Sequence, residues 1–428
     1  MLLGICGPAG AKPVQSAEIE RVLAAISPQR VLELEQAAIR IASPTFHEGE
    51  LAEYFGNRLL ELGLEVDLME VTHPSQPGMV TRQCIARLKG GGGGPTLMIN
   101  GHLDPVVSMA GWTVDPLGGK YEDGWIWGAG AHDDKGGLVA AIIAIEAIVR
   151  SGAKLNGDIL LCAVACHKAG GLGTKALIKA GLRADMCINM EHSAGTIATT
   201  VVGQIRPTLV FRGNGLFFRF SDEAKEAYFN PLEQMALMIQ RLGPSLDSPG
   251  PDSWLTFTPH PDLPGFPLHR FDAVSKTHYG REATLTMQVR TVPGMTPTGV
   301  KADLEKVVAE LKAKHPAFDC VVEVATDADS DPHLVHPHEI ARDHPLVTAL
   351  AEGLQRASNR EPELGGALRI GNTGDGNFLA AAGIPTLQYG PGDIRIYPEW
   401  PAPDERVELR ELVEVARTIA YAACKVCG

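Results

Sequence analysis

The chain has 428 residues, of which 45% are hydrophobic and 21% are charged, and its formal net charge is −13. This length predicts two or three domains, because a single hydrophobic core stops growing well below it. The acidic balance argues against nucleic acid as a partner, and the lack of any run of about 20 apolar residues argues against a membrane span. The first 14 residues lack a signal-peptide pattern and the eight cysteines are scattered, so we expect a cytoplasmic protein.

The first hundred residues predict three helices followed by strands. Apolar residues at helical spacing indicate helices over 16–26, 28–42 and 48–62, and strands are expected over 64–71 and 83–88 with a proline-containing loop between them. The five glycines from Gly90 to Gly94 precede a strand rather than a helix. They therefore predict a mobile hairpin turn and not a phosphate cradle.

Three apolar strands end in side chains that can bind a metal. His102-Leu103-Asp104 ends the first strand, His167 follows a strand over 158–164, and Glu191 follows a strand over 184–190. Residues i and i+2 of a strand face the same side, so His102 and Asp104 can serve one point, as ligand and orienter. Helices over 138–149 and 174–180 alternate with these strands, which predicts a parallel or mixed sheet with ligands beyond its carboxyl ends.

Asp133 and Asp134 directly precede the apolar helix over 138–149. Unpaired N–H groups and the helix dipole favour carboxylates at that position. For either residue an N-cap is therefore a sound alternative to a role in metal binding.

The segment from 197 to 328 differs in pattern and predicts an inserted domain. Strands are expected over 199–211, 253–259, 282–292 and 320–325, with helices over 230–242 and 298–315. This order, strand–helix–strand–strand–helix–strand, is ferredoxin-like. Helices over 345–357, 375–382 and 409–424 then return to the first domain, where Cys424 and Cys427 are expected to be free thiols on a frayed end.

Several ordered signatures resemble the metallopeptidase family of aminoacylase, carboxypeptidase G and succinyl-diaminopimelate desuccinylase. The resemblance covers nearly the whole chain, and the stretches that carry it include 100–104, 128–137, 170–174, 290–297 and 403–407. It implies an α/β fold: a mixed-sheet α/β/α metallohydrolase domain formed by 1–196 and 329–428, with an inserted ferredoxin-like α+β domain at 197–328. That inserted domain is expected to act as a lid or in oligomerisation, so we expect a homo-oligomer, a dimer or larger.

The same resemblance implies a metal site. Family members typically bind two zinc-like ions bridged by an aspartate. By that resemblance His102, Asp133 and Glu191 would hold the first ion, Asp133 would be the bridge, and Asp104 would orient His102. One histidine and two carboxylates suit zinc, manganese or iron.

The chain departs from the family at the second ion. The family has a general-base glutamate and a ligand glutamate where this chain has His167 and Lys168, and a last ligand histidine where it has Pro401. A lysine cation at about 4 Å would repel each unit of metal charge by about 4 kcal/mol at an effective dielectric near 20. We therefore expect one divalent transition metal ion per subunit, manganese or zinc, with His167 as a candidate general base.

Three functions are open. The first is a metal-dependent hydrolase that deaminates an electron-poor aromatic amino acid, such as 5-nitroanthranilate to 5-nitrosalicylate and ammonia; this is implied by resemblance to an atypical aminohydrolase of the family. The second is ordinary family chemistry on an N-acyl amino acid or short peptide. The third is a catalytically dead protein that binds a small acid or a partner.

A small carboxylate-bearing substrate needs a cationic or N–H-rich receptor. Arg290, Arg369, Arg219 and Asn372 are the candidates. A surface or inter-domain ion pair is the alternative for each arginine, because exposed ion pairs are common and contribute little.

Overall fold

The computed structural model describes residues 14–106, 110–213, 229–245, 253–276, 281–327, 331, 333–366, 373–398 and 400–428. The chain divides into two compact units. The first unit contains 1–200 and 339–428, and the second contains 201–338. No helix in these described ranges is both long and apolar enough to cross a bilayer.

The first unit is built on a nine-stranded mixed sheet. Its strands are β1 Glu65–His73, β2 Gln76–Leu88, β3 Leu97–His102, β6 Ile159–Val164, β7 Met186–Asn189, β8 Thr196–Val201, β14 His338–Glu339, β15 Glu363–Gly366 and β16 Thr386–Gln388. The order is β1-β2-β6-β3-β7-β16-β8-β14, with β15 paired to β8. A separate three-stranded sheet contains β4 Lys120–Glu122, β5 Trp125–Trp127 and β17 Arg406–Glu408. The four central strands, β6, β3, β7 and β16, run parallel, so their carboxyl ends meet at one edge.

Helices cover both faces of this sheet. They are α1 Ser16–Ala24, α2 Pro28–Arg40, α3 Gly49–Glu61, α4 Lys135–Ser151, α5 Leu172–Lys179, α8 Pro345–Ser358, α9 Asp375–Ala381 and α10 Leu409–Val426. Leu97 and Ile99 of β3 belong to the core that includes α4 and α10, whereas Met98 belongs to the smaller core that includes α5 and α9. This alternation produces the α/β/α layers that the sequence predicted.

The second unit has the ferredoxin-like order. Its elements are β9 Gly203–Ile205, β10 Thr208–Arg212, α6 Pro231–Leu242, β11 Leu268–Lys276, β12 Glu282–Thr291, α7 Pro297–Lys314 and β13 Cys320–Glu323. The sheet order is β11-β12-β10-β13, and neighbouring strands are antiparallel. Alternate residues of β12 are buried in a core that also holds Met238 and Leu304 from the two helices. The predicted fold class is confirmed.

Several local predictions were wrong. The chain over 253–259 forms no strand, and the segment expected as one strand over 199–211 is broken into β8, β9 and β10. The proline-containing segment after β1 is mostly strand, since β1 and β2 pair as a hairpin from Glu65↔Arg87 to His73↔Gln76. Gly90–Gly94 is no hairpin turn, because β6 lies between β2 and β3.

The C-terminus is fixed rather than frayed. Cys424 and Cys427 are buried free thiols. The Cys427 carbonyl accepts hydrogen bonds from the backbone N–H groups of Asn156 (2.7 Å) and Gly157 (2.8 Å). These contacts tie the end of α10 to the turn before β6.

Candidate active site

The carboxyl edge of the central strands brings the predicted metal-binding residues together. His102 is the last residue of β3, His167 and Lys168 lie in the loop after β6, and Glu191 and His192 follow β7. His102, Glu191 and His192 are buried. Since β6, β3 and β7 are parallel neighbours, side chains separated by up to ninety positions in the chain reach one pocket.

Asp133 enters this pocket from the turn before α4, and Glu405 holds that turn. The Glu405 carboxylate accepts hydrogen bonds from the backbone N–H groups of Gly130 (2.9 Å), His132 (3.0 Å) and Asp133 (3.0 Å). Asp134 is the N-cap residue of α4, but its side chain accepts from the His102 N–H (3.2 Å) instead of capping the helix. Asp134 therefore occupies the N-cap position, but its side chain does not cap the helix.

Asp133 contacts a histidine and a lysine through its two oxygens. Its Oδ1 lies 2.9 Å from His102 Nε2, and its Oδ2 accepts a hydrogen bond from Lys168 Nζ at 3.0 Å. Burial works to raise the pKa of Asp133, but Lys168 and His102 hold it well below its usual value. Burial likewise opposes the charge of Lys168, yet the surrounding carboxylates, Asp133 first, raise its pKa. The pair is therefore an ammonium and a carboxylate, with Asp133 buried and Lys168 partly exposed.

Asp104 fixes the loop after β6. It accepts hydrogen bonds from the backbone N–H groups of His167 and Lys168, each at 3.0 Å, and from the Thr45 hydroxyl at 2.9 Å. Burial raises the pKa of Asp104 to about 6. Its Oδ1 is 3.8 Å from His102 Nδ1, which is longer than a hydrogen bond. The predicted orienting role toward His102 stays a prediction.

His167 is paired with Asp375, a residue that sequence reasoning missed. His167 Nδ1 and Asp375 Oδ2 are 2.8 Å apart. Burial lowers the pKa of His167, but the Asp375 carboxylate outweighs it and raises this pKa to about 9. Gly374 makes the approach possible, since a Cβ at that position would lie 2.5 Å from His167 Cε1. The only sequence signal was the neighbouring run Gly371-Asn372-Thr373-Gly374, in which Asn372 was singled out.

His192 is the second residue that sequence reasoning missed. A nitrogen of His192 and carboxylate oxygens of Asp133 and Glu191 lie within 4.8 Å of one another, and a second such group joins His102, His167 and Glu191. Burial raises the pKa of Glu191 to about 7 and lowers that of His192 to about 3. The signal that could have found His192 is its place directly after Glu191 at a strand end.

These residues fit a divalent transition metal. Carboxylates and imidazoles are its usual ligands, and those of the two groups lie in a largely buried pocket with short mutual distances. The three predicted ligands are spread over both groups: Glu191 belongs to each, His102 to one and Asp133 to the other. Their individual roles stay predictions.

The position of the family's last ligand histidine is filled differently. Pro401 stands there, and the ring of the preceding Trp400 stacks on the His132 ring with centroids 4.5 Å apart. Gly392, at φ +95°, packs against Cβ and Cγ of His132, where a Cβ on residue 392 would clash. His132 is therefore held by packing on the side of the pocket where the resemblance would place the second ion's ligand.

The predicted substrate-binding residues are only partly described. Arg290 lies near the end of β12 in the second unit, where burial lowers its pKa to about 10. Arg219, Arg369 and Asn372 lie outside the described residues.

Comparison with known proteins decides the family. A profile of peptidase family M20/M25/M40 matches residues 98–425. The chain belongs to this family. Members are metal-dependent hydrolases of carbon–nitrogen bonds, so the predicted family and enzyme class are confirmed, and divalent metal binding follows from membership.

One curated relative and two solved structures show which proteins the chain resembles. N-formyl-4-amino-5-aminomethyl-2-methylpyrimidine deformylase of Bacillus subtilis (strain 168) is 26% identical over 410 residues, which is 88% of this chain and 89% of the relative. The crystal structure of aminopeptidase PepT from Bacillus cereus ATCC 10987 gives a TM-score of 0.73 at 18% identity, covering 94% of this chain and 100% of that one. The Bacillus subtilis YXEP protein, described as a dinuclear metal binding peptidase, gives 0.67 at 15% identity, covering 94% and 98%. At these identities the solved structures show the fold alone.

Proposed function

We propose that this M20/M25/M40 member is a mononuclear aminohydrolase. Its reaction would be the hydrolytic deamination of an electron-poor aromatic amino acid, such as 5-nitroanthranilate to 5-nitrosalicylate and ammonia. The observation that supports it most is the Lys168–Asp133 contact of 3.0 Å. It places an ammonium on the carboxylate that would bridge two ions, at the position where the family has a ligand glutamate.

Loss of the second ion favours a substrate that needs less electrophilic help. A second ion would clamp the leaving group and stabilise a tetrahedral oxyanion in amide hydrolysis. An electron-poor ring can itself hold the negative charge that develops when water attacks the carbon bearing the amine. When bound, the single ion would lower the pKa of its water and supply hydroxide near neutral pH.

The chain's own residues divide the remaining work. His102, Asp133 and Glu191 would hold the ion, and His167 would move the proton. Because Asp375 engages Nδ1 of His167, the nitrogen left for water or the departing amine is Nε2. In the balanced reaction, water adds to the ring carbon, the carbon–nitrogen bond breaks, and the water's proton leaves with the nitrogen as ammonia.

The substrate carboxylate needs a receptor, for which we propose Arg290 first, then Arg369, Arg219 and Asn372. Arg290 is half-buried near the end of β12, and a partly desolvated guanidinium suits a bidentate anionic partner.

Amide hydrolysis is the second candidate, and the deformylase relative favours it. That enzyme is similar over 88% of this chain. His167 would then stand where the family has its general-base glutamate, and an acid rather than ammonia would be released.

A product screen separates the two candidates. The protein, loaded in turn with manganese, zinc and cobalt, is incubated with 5-nitroanthranilate, anthranilate, and N-formyl and N-succinyl amino acids. We expect ammonia and 5-nitrosalicylate from the nitro compound alone. Release of formate or succinate without ammonia would replace the proposal with the amidohydrolase, and Glu191→Ala, expected to lose its metal, is the inactive control.

A further inference from the structure

Three imidazoles of the pocket lie close enough to Glu191 to be candidate metal ligands. His102, His167 and His192 each have a ring nitrogen in one of the two potential metal-binding groups, and Glu191 belongs to both groups. Which histidines bind is therefore a question of ring geometry.

His102 and His167 cannot both bind the same ion in this arrangement. Their rings are stacked, with centroids 4.1 Å apart and planes inclined by only 11°. An imidazole binds a metal through a lone pair in the plane of its ring, at about 2.0–2.1 Å. An ion between two nearly parallel planes would lie far out of one plane or both. Asp375 also holds His167 through Nδ1, so His167 stays available for proton transfer.

His192 does not have this conflict. Its ring meets the rings of His132 and Trp400 edge-on, with interplanar angles of 75° and 63°, so packing fixes its orientation. Its Nδ1 is 3.9 Å from Glu191 Oε2. A neutral imidazole also adds a donor without adding charge, in a pocket that already contains the Lys168 ammonium.

We propose that His192 is a fourth protein ligand of the metal, alongside Asp133, Glu191 and His102. His102 Nε2 and Asp133 Oδ1 are 2.9 Å apart, close enough for both atoms to contact one ion at the usual ligand distance of about 2.0–2.2 Å. Two imidazoles and two carboxylates would then hold a single ion. His192 would supply a fourth protein donor to that ion. This inference rests on the proposed single-metal site but not on the identity of the substrate.

The test counts coordinated imidazoles. The full-length protein is loaded with Mn(II), and pulsed electron paramagnetic resonance counts the bound ¹⁴N donors while metal analysis gives content and affinity. We expect two imidazoles in the wild type, one in His192→Gln with at least about tenfold weaker binding, and two in the matched control His167→Asn. Two imidazoles with wild-type affinity in His192→Gln would overturn the proposal.

A second variant gives a positive signal. His192→Cys loaded with Co(II) is expected to show a thiolate-to-cobalt charge-transfer band that the wild type lacks, and a folded, cobalt-containing variant without the band contradicts the proposal. The product screen is independent of both measurements. If the imidazole counts agree but no ammonia forms, the proposed reaction fails while the ligand assignment stands.

Discussion

His167 and Asp375 form a largely buried pair whose partners are 208 positions apart in the chain. The carboxylate fixes which imidazole nitrogen faces the pocket, as carboxylates do in hydrolytic triads. His167 is thereby oriented for proton transfer, while its stacking on His102 keeps it beside the metal ligands.

We predict that His167→Asn lowers kcat by about 10²–10⁴-fold, the usual contribution of general acid–base catalysis, with metal content unchanged. Asp375→Asn should lower kcat by a smaller factor and leave KM nearly unchanged, because it disturbs orientation rather than binding. Steady-state kinetics with metal analysis on the same samples checks both variants. A fully active His167→Asn would remove this residue from the chemistry.

Removing the charge of Lys168 should strengthen metal binding. Lys168→Met removes a positive charge 3.0 Å from Asp133 Oδ2, so the divalent ion should bind at least about tenfold more tightly. Competition with a chelator measures the change. Weaker binding in the variant would show that Lys168 positions Asp133 for the ion instead of competing with it.

Glu405 links a late segment of the chain to the turn that carries Asp133. Three backbone N–H groups donate to its carboxylate. In Glu405→Gln the side-chain NH₂ group, a donor, would face at least one of these N–H donors. We predict a loss of about 2–4 kcal/mol in the free energy of unfolding and weaker metal binding. Denaturant unfolding with metal titration tests this. Glu408→Gln, whose ion pair with Arg410 is exposed, is the control and should lose under about 1 kcal/mol.

Glu411, at the start of α10, makes the stability of the fold depend on pH. Burial, then repulsion by Glu408 and other acids, raises the pKa of Glu411 to about 7, although the Gly392 N–H donates to it. Its usual value is 4.5, so the folded state binds the proton more tightly and stability falls as pH rises from about 4.5 to 7.

Glu411→Gln should therefore be more stable than the wild type by about 1–3 kcal/mol at pH 8, and nearly equal to it at pH 4. Thermal or denaturant unfolding at the two pH values measures the difference. An equal gain at both values would contradict the linkage, and the exposed Glu65→Gln should show no such pattern.

The elements near the site follow the sequence more closely than the irregular segments do. β3 and β6 are buried along their whole length, so apolar runs marked them, and glycines marked the turns around Asp133. The predicted strand over 253–259 failed because the backbone N–H groups of Leu255 and Thr256 donate to the side chains of Ser253 and Asp303 rather than to a neighbouring strand. β11 was missed because Arg270 and Asp272 interrupt its alternation and it lies at a sheet edge.

At the scale of the whole molecule, the three predicted ligands carry local signals in the sequence. His102 ends a strand, Glu191 follows one and Asp133 precedes a helix. Asp375 and Glu405 act through contacts with residues 208 and 272–275 positions away. Such contacts depend on the strand order and on loop packing, which a single sequence does not encode locally.

The central claim is that one ion, not two, serves each chain. The most direct measurement is metal content per chain by mass spectrometry, after dialysis against excess manganese or zinc and removal of free ion. The account predicts one ion per chain in protein that releases ammonia from 5-nitroanthranilate. Two ions per chain in active wild-type protein would contradict it.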